Sequence, residues 1–365
     1  MKKINIFLAC REGGLPLKSS TSRWLQENNF DLLRFLFAFT VFLVHSHSLS
    51  GAVELSVLSK LFSSDLAVKS FFVVSGFLIF MSYEKSSNVY TYFVKRIRRI
   101  YPAYFFVVIS CVVLWVFFAS YSSDIDTWVQ VLKYAFSNLV FLNFLQPDLP
   151  NLFDGNIFQA VNGALWTLKI EVMFYVMVPF VVLAFKRFGH AQVLGFLYLC
   201  SLGYSVLMDF LINQNGSGLY IELQRQLPGQ LTYFLGGAAG YYFFEHFRKN
   251  VKWLVPLAVV SFLLKAWLPW DAVQPVALAV LVVFFACVFP CLGNFSKYGD
   301  FSYGIYIVHF PILQLLIASG FFNTSPWLLL STSAALVMGA AFLLWHFIEK
   351  TFLHKSSHYA TPGIG

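Results

Sequence analysis

Apolar residues along this chain neither alternate nor gather into narrow helical stripes; they continue for long stretches with few polar interruptions. A helix needs about 17 to 25 such residues to cross the hydrocarbon of a bilayer. Ten runs reach that length: residues 30–49, 66–83, 103–120, 163–185, 191–211, 230–247, 251–268, 273–292, 301–320 and 327–348. The pattern predicts an all-α integral membrane protein, a bundle of about ten transmembrane helices. It forms one domain over residues 30–352, with a cytosolic lead at 1–29 and a cytosolic tail at 353–365. A further stretch, 128–145, is broken by Lys133, Ser137, Asn138 and Asn143. It reads as interfacial or re-entrant, with an eleventh span as the alternative.

The polar residues between the runs set the orientation. If both termini are cytosolic, the inner segments collect most of the Lys and Arg, and the outer loops hold only Lys60, Lys133, Arg225 and Lys265. That is the asymmetry of the positive-inside rule, so the prediction is N-in and C-in. Composition agrees: 58% of residues are hydrophobic and 12% charged, where soluble domains hold roughly half and a quarter. The formal charge of +8 then records topology, with membrane lipid as the partner and no nucleic acid. Five cysteines, Cys10, Cys111, Cys200, Cys287 and Cys291, fall mostly inside apolar runs without metal-ligand or disulfide spacing, so no metal is expected.

A charge at the bilayer centre costs at least about 2.5 to 3.5 kcal/mol, which makes each ionisable residue inside a run a candidate for chemistry. They are Arg34, His45, His47, Lys69, Lys169, Glu171 and His309. Arg34 and His45 are eleven positions apart, about 1100° of helical rotation, so they share a face and lie about 16 Å apart along it. This fits a guanidinium that holds a phosphate at the cytosolic mouth and a deeper imidazole that handles protons. It fits as well an Arg34 that snorkels to the interface and a His45 that only bonds a neighbouring helix. Glu171 lies about 12 Å from the outer start of its run, a depth comparable with His45, and is expected to orient that imidazole; a structural pair with a buried cation is the alternative. His309 falls on the cytosolic half of the ninth run. Lys95, Arg96, Arg98 and Arg99 are expected in the loop before Tyr101-Pro102, serving either topology alone or an anionic ligand with several phosphates.

Five segments in order resemble the acyltransferase 3 family of membrane O-acyltransferases. Arg34 and His45 match its Arg-x10-His signature, and Phe71-Phe72-Val73-Val74-Ser75-Gly76-Phe77 is similar to its second-helix motif. Arg96-Ile97-Arg98-Arg99 resembles its Arg-x-x-Arg loop, and Leu165-Trp166-Thr167-Leu168-Lys169-Ile170-Glu171 its Trp-Ser-Leu-x-x-Glu segment. Ser302-Tyr303-Gly304-Ile305-Tyr306-Ile307-Val308-His309-Phe310-Pro311 resembles its late Ser-Tyr-x-x-Tyr-x-x-His-x-Pro helix. Thr167 stands where the family has Ser, and Lys169 where small residues are common.

The resemblance implies a ten-helix bundle in the bacterial inner membrane. Such a bundle moves an acyl group, commonly acetyl, from cytosolic acyl-CoA (acetyl-CoA) to a hydroxyl on a surface glycan or glycolipid. It makes His45 and Arg34 the expected catalytic pair, with Glu171 orienting His45 as its depth suggests, and Arg96 and Arg99 the expected coenzyme-binding residues; His309, beside the coenzyme path in the topology above, either joins them or bonds across helices. Acceptor transfer then takes place on the bundle itself or on a separate glycan-assembly partner. A competing reading from the buried charges alone is a transporter or flippase of glycan or lipid precursors, although no inverted repeat is visible.

Overall fold

The computed structural model describes residues 28–118, 124–293, 295, 297, 299–321 and 325–353. Cys10, nearly all of the expected lead and tail, and Tyr121 at the start of the longest connection lie outside them. Among the described residues the chain is helical with no strand. In order the helices are α1 (Phe30–Ser50), α2 (Ser56–Leu61), α3 (Ser64–Glu84), α4 (Val89–Phe118), α5 (Ile125–Leu139), α6 (Trp166–Phe188) and α7 (His190–Asn215). There follow α8 (Gly218–Gln224), α9 (Leu227–Tyr242), α10 (Phe244–Leu263), α11 (Trp270–Cys287), α12 (Ser302–Ala318), α13 (Pro326–Leu344) and α14 (Lys350–Phe352). A π-helical turn, Trp345–Glu349, joins the last two.

Every apolar run coincides with a helix, and seven helical segments are long and apolar enough to cross a membrane, so the chain is a multi-pass membrane protein. They are Phe30–Ser50, Val53–Glu84, Val89–Phe118, Gly163–Phe188, His190–Asn215, Trp270–Cys287 and Pro326–Phe352, and α12 is a shorter apolar helix. The sixth run is divided differently from expectation: α9 stops at Tyr242, Phe243 leaves the helical conformation, and α10 begins at Phe244. α10 then carries Glu245, Arg248, Lys249 and Lys252 in its first turns, which lowers its apolar character. The 128–145 stretch becomes α5, 15 residues long, or about 22 Å, too short to span. It turns Thr127, Ser137 and Asn138 inward and leaves Trp128, Leu132 and Phe136 exposed.

The basic segment is not a loop. α4 starts at Val89, so Lys95, Arg96, Arg98 and Arg99 all lie inside a 30-residue helix. Nothing between Val89 and Pro102 breaks a helix, and Pro102 itself removes a single N–H from the ladder. Two other helix prolines, Pro311 and Pro179, act as fastening points. Pro311 cannot bond the Ile307 carbonyl one turn back, and Asn162 Nδ2 donates to that oxygen at 2.8 Å. Pro179 likewise frees the Tyr175 carbonyl, which accepts from the Tyr92 hydroxyl at 3.1 Å. In a bilayer a freed carbonyl must find a partner inside the protein, so each proline ties its helix to a neighbour. α3 and α9 approach at the backbone level: a Cβ on Gly237 would stand 1.9 Å from the Val73 carbonyl, and one on Gly76 1.9 Å from that of Phe234.

α1 and α12 bring together four ionisable residues from distant parts of the chain. Arg34 meets Asp300, which immediately precedes α12, and His45 meets His309, so the two helices run parallel. α6 runs against them, with Gly163 beside Phe310 and Thr167 beside Tyr306.

Candidate active site

α12 places one polar side chain on nearly every turn, because Ser302, Tyr303, Tyr306 and His309 recur at three- and four-residue spacing. Each meets a different neighbour. The Ser302 hydroxyl donates to Asp300 Oδ1 at 2.5 Å. Tyr303 donates to the Ile100 carbonyl of α4 at 2.9 Å. The Tyr306 and Thr167 hydroxyls lie 2.7 Å apart, so Thr167 uses the same oxygen a Ser would supply. His309, with no exposure at all, reaches His45 on α1.

The imidazole pair has a defined polarity. His309 Nδ1 lies 3.1 Å from the Ile305 carbonyl, which can only accept, so the proton sits on Nδ1 and Nε2 keeps its lone pair. His45 Nδ1 is 2.9 Å from that Nε2 and therefore carries the donated proton. The lone pair of His45 is left on Nε2, and His45 is only half-buried. Phe310 closes one side, edge-on to the His45 ring with centroids 5.6 Å apart. His47 points elsewhere, its Nδ1 2.7 Å from the Ser59 hydroxyl.

The structure does not pair His45 with Glu171. Glu171 accepts from the Tyr175 hydroxyl at 2.5 Å. The expectation measured depth from Gly163 as though that residue stood at the outer surface. Residues 156–162 instead descend along α12, held by Gln314 Nε2 to the carbonyls of Phe158 and Ala160 (2.6 and 2.8 Å) and by Asn156 to Gln314 (2.9 Å). Gly163 therefore begins level with Phe310, and Glu171 falls about two turns beyond the histidines. Lys169 places its ammonium over the Phe144 ring at 4.5 Å.

Toward the other end of α1 and α12 the charges gather. Asp300 Oδ2 receives Arg34 Nη1 and Arg99 Nη2, each at 2.5 Å, and Arg99 Nη1 reaches Glu349 Oε2 at 2.7 Å. Asp31 stands 3.8 Å from Arg34. Asp300 is 3% exposed; burial pulls its carboxyl upward, but Arg34 and Arg99 outweigh that and hold it below the ordinary carboxylate value. Arg96 differs from its neighbours. Its Nη2 donates to the Ser82 hydroxyl at 3.1 Å, its guanidinium lies over the Tyr175 ring, and its Nε is buried with no hydrogen-bond partner. Reading the sequence missed Asp300 and Glu349 because both lie just past the ends of apolar runs. The only signal was an acid directly before the Ser-Tyr segment and another closing the last run.

An imidazole with a free ring nitrogen inside a helical membrane bundle, and arginines grouped toward one end of the same helices, describe a membrane-embedded group-transfer enzyme. Residues 27–346 match the acyltransferase domain of the acyltransferase 3 family. The chain belongs to that family and is an acyltransferase. It is 28% identical over 348 residues to the O-acetyl transferase of Shigella phage Sf6, covering 91% of this chain and 98% of that protein. It is also 28% identical over 351 residues to Nodulation protein 10 of Rhizobium leguminosarum bv. viciae, covering 88% of this chain and 92% of that one. No solved structure matches it.

Proposed function

We propose that this chain is an O-acetyltransferase of the bacterial inner membrane that takes acetyl from cytosolic acetyl-CoA and delivers it to a hydroxyl of an exported glycan or glycolipid. The observation that carries this reading is the polarised imidazole pair, which leaves His45 Nε2 as a base inside the bundle. His45 takes the hydroxyl proton as the new C–O bond forms and the thioester C–S bond breaks, and then returns that proton to the departing thiolate. His309 holds the His45 ring through Nδ1 and stabilises the imidazolium. The name of the phage relative supports acetyl as the group moved.

The donor's phosphates suit the Arg96 region, where a guanidinium without a carboxylate partner among the described residues keeps a buried N–H unsatisfied. Exposed Arg98 and half-buried Lys95 lie within a turn of it. Ten spans with both termini cytosolic would run α1 and α12 outward and α6 inward. The parallel pairing of α1 with α12, and the opposed direction of α6, agree with that topology. Reporter fusions after Phe247 and between α5 and α6 test it; a cytosolic signal from the second would overturn the orientation.

The function is tested with purified protein in detergent by following loss of acetyl-CoA, and in cells by mass spectrometry of surface glycan with and without the gene. Transport of a glycan precursor without acetyl-CoA turnover would replace this reading by a flippase. A single turnover without acceptor separates base from carrier: covalently trapped acetyl on His45 would make it an acyl carrier.

A further inference from the structure

We infer that Arg34 and Arg99, the signature arginines, are positioning residues: with Asp300 they form a clamp that sets the register of α1 against α12 and so brings His45 onto His309. This rests on the acyltransferase reading and assigns those arginines away from donor binding.

Asp300 stands at the centre of the clamp. Its Oδ1 accepts from both the backbone N–H and the hydroxyl of Ser302, at 3.2 and 2.5 Å, which fixes the carboxylate to the first turn of α12. Its Oδ2 receives guanidiniums from α1 and α4, and the α4 arginine continues to Glu349 at the end of the α13 segment. Four segments of the chain are fastened at one point. A buried ion cluster of this kind adds little net stability, because desolvation offsets the attraction, but it can specify register. Register is what the histidines need. The next contact along the same two helices is His45 to His309 at 2.9 Å. A slip of one residue moves a helix about 1.5 Å along its axis, enough to carry that pair beyond hydrogen-bond length. Arg34 and Arg99 have carboxylates against them, whereas Arg96 has none among the described residues and keeps a buried donor open. The first two are therefore committed within the fold.

The decisive variant is Asp300→Asn, which keeps an Oδ1 for the Ser302 cap and removes only the charge shared by the arginines. Coenzyme A affinity is expected to stay within about twofold of wild type, while turnover of acetyl-CoA falls about a hundredfold, the cost of misplacing a reacting group by about 1 Å. The pH dependence of turnover should change to that of His309→Leu, since both variants deprive His45 of its partner. Arg34→Gln should lower turnover in the same way, and Arg34→Gln combined with Asp300→Asn should be no worse than Asp300→Asn alone, because the two act as one unit. Losses that multiply, or a coenzyme A affinity that falls in Arg34→Gln as it does in Arg96→Gln, would overturn the clamp. Should Asp300→Asn fail to accumulate, Arg34→Gln carries the test, as it leaves Asp300 paired with Arg99. Register is also read without chemistry, by mass spectrometry of a short thiol crosslink in His45→Cys/His309→Cys protein whose native cysteines are replaced by Ala. Crosslinking that survives Asp300→Asn undiminished sinks the clamp. Efficient, Asp300-dependent crosslinking, with no acetyl transfer by the wild-type chain, would instead retire the function and keep the clamp.

Discussion

The two ends of the α1–α12 pair are built from opposite materials. At Asp300 two guanidiniums and two carboxylates meet, and the charges of Arg34, Arg99, Asp300 and Glu349 are answered within the group. At His309 two neutral rings meet, and the second bond, to the Ile305 carbonyl, polarises the pair so that one lone pair remains free. Paired charge holds geometry, because movement would leave a buried ion exposed to apolar surroundings. A neutral chain ending in a free nitrogen can accept a proton, because nothing among the described residues already occupies that atom. On the proposed mechanism the charged end is the mechanical part of the site and the neutral end the reactive part.

That division is broken most directly at His45. His45→Ala should lower acetylated glycan per unit of inserted protein by at least about a hundredfold, the contribution of a positioned general base. His47→Ala, whose ring turns to Ser59, should stay close to wild type; equal losses in both would mean that the imidazoles serve only packing.

His309→Leu comes next. It removes the acceptor that holds His45 Nδ1 and stabilises the imidazolium, a hydrogen bond to a charged group worth about 1.5 to 3 kcal/mol. Turnover should fall about tenfold or somewhat more, with the KM for acetyl-CoA unchanged. A rise in KM instead would return His309 to the donor site.

Arg96→Gln sharpens the contrast from the charged side. Losing one charge-assisted contact should raise the KM for acetyl-CoA about tenfold and make it less sensitive to salt, with little effect on turnover at saturation. If steady-state kinetics across ionic strength reveal no change, the donor's phosphates bind elsewhere.

The smallest effect belongs to Asn162→Ala, which leaves the Ile307 carbonyl freed by Pro311 without its donor. The expected cost is about 1 to 3 kcal/mol of stability, seen as a lower melting temperature in detergent, with turnover reduced only in proportion to folded protein. A large loss of turnover in protein of normal stability would place Asn162 in the chemistry.

Much of this site was legible from the order of residues. Eleven positions between Arg34 and His45 put them on one helix face whatever surrounds the helix, and the apolar runs located every helix that carries a site residue. Orientation between helices was not legible. The His45 and His309 contact joins residues 264 apart, and the Arg34 and Asp300 contact residues 266 apart. Neither separation leaves a periodic trace. Glu171 is the instructive failure: its depth was counted from Gly163, but Gln314 and Asn162 draw the preceding segment down along α12, and the count began at the wrong level.

What the sequence alone determined is therefore local and continuous. Long apolar runs commit the chain to membrane helices, since the backbone has no other way to satisfy its N–H and C=O groups in lipid, and helical periodicity fixes which side chains share a face. Only the tertiary structure decided which faces meet. A carboxylate at the edge of a run looks solvated in sequence, and it becomes the junction of Arg34 and Arg99 once α1, α4 and α12 pack together. His309 looks like one more polar residue among apolar ones, and it becomes the partner of His45 because parallel packing of α1 with α12 brings two rings from distant parts of the chain to the same depth. Register between helices is set by many weak contacts summed over the whole interface and by the few buried charges that tolerate only one alignment, and no stretch of sequence contains that sum.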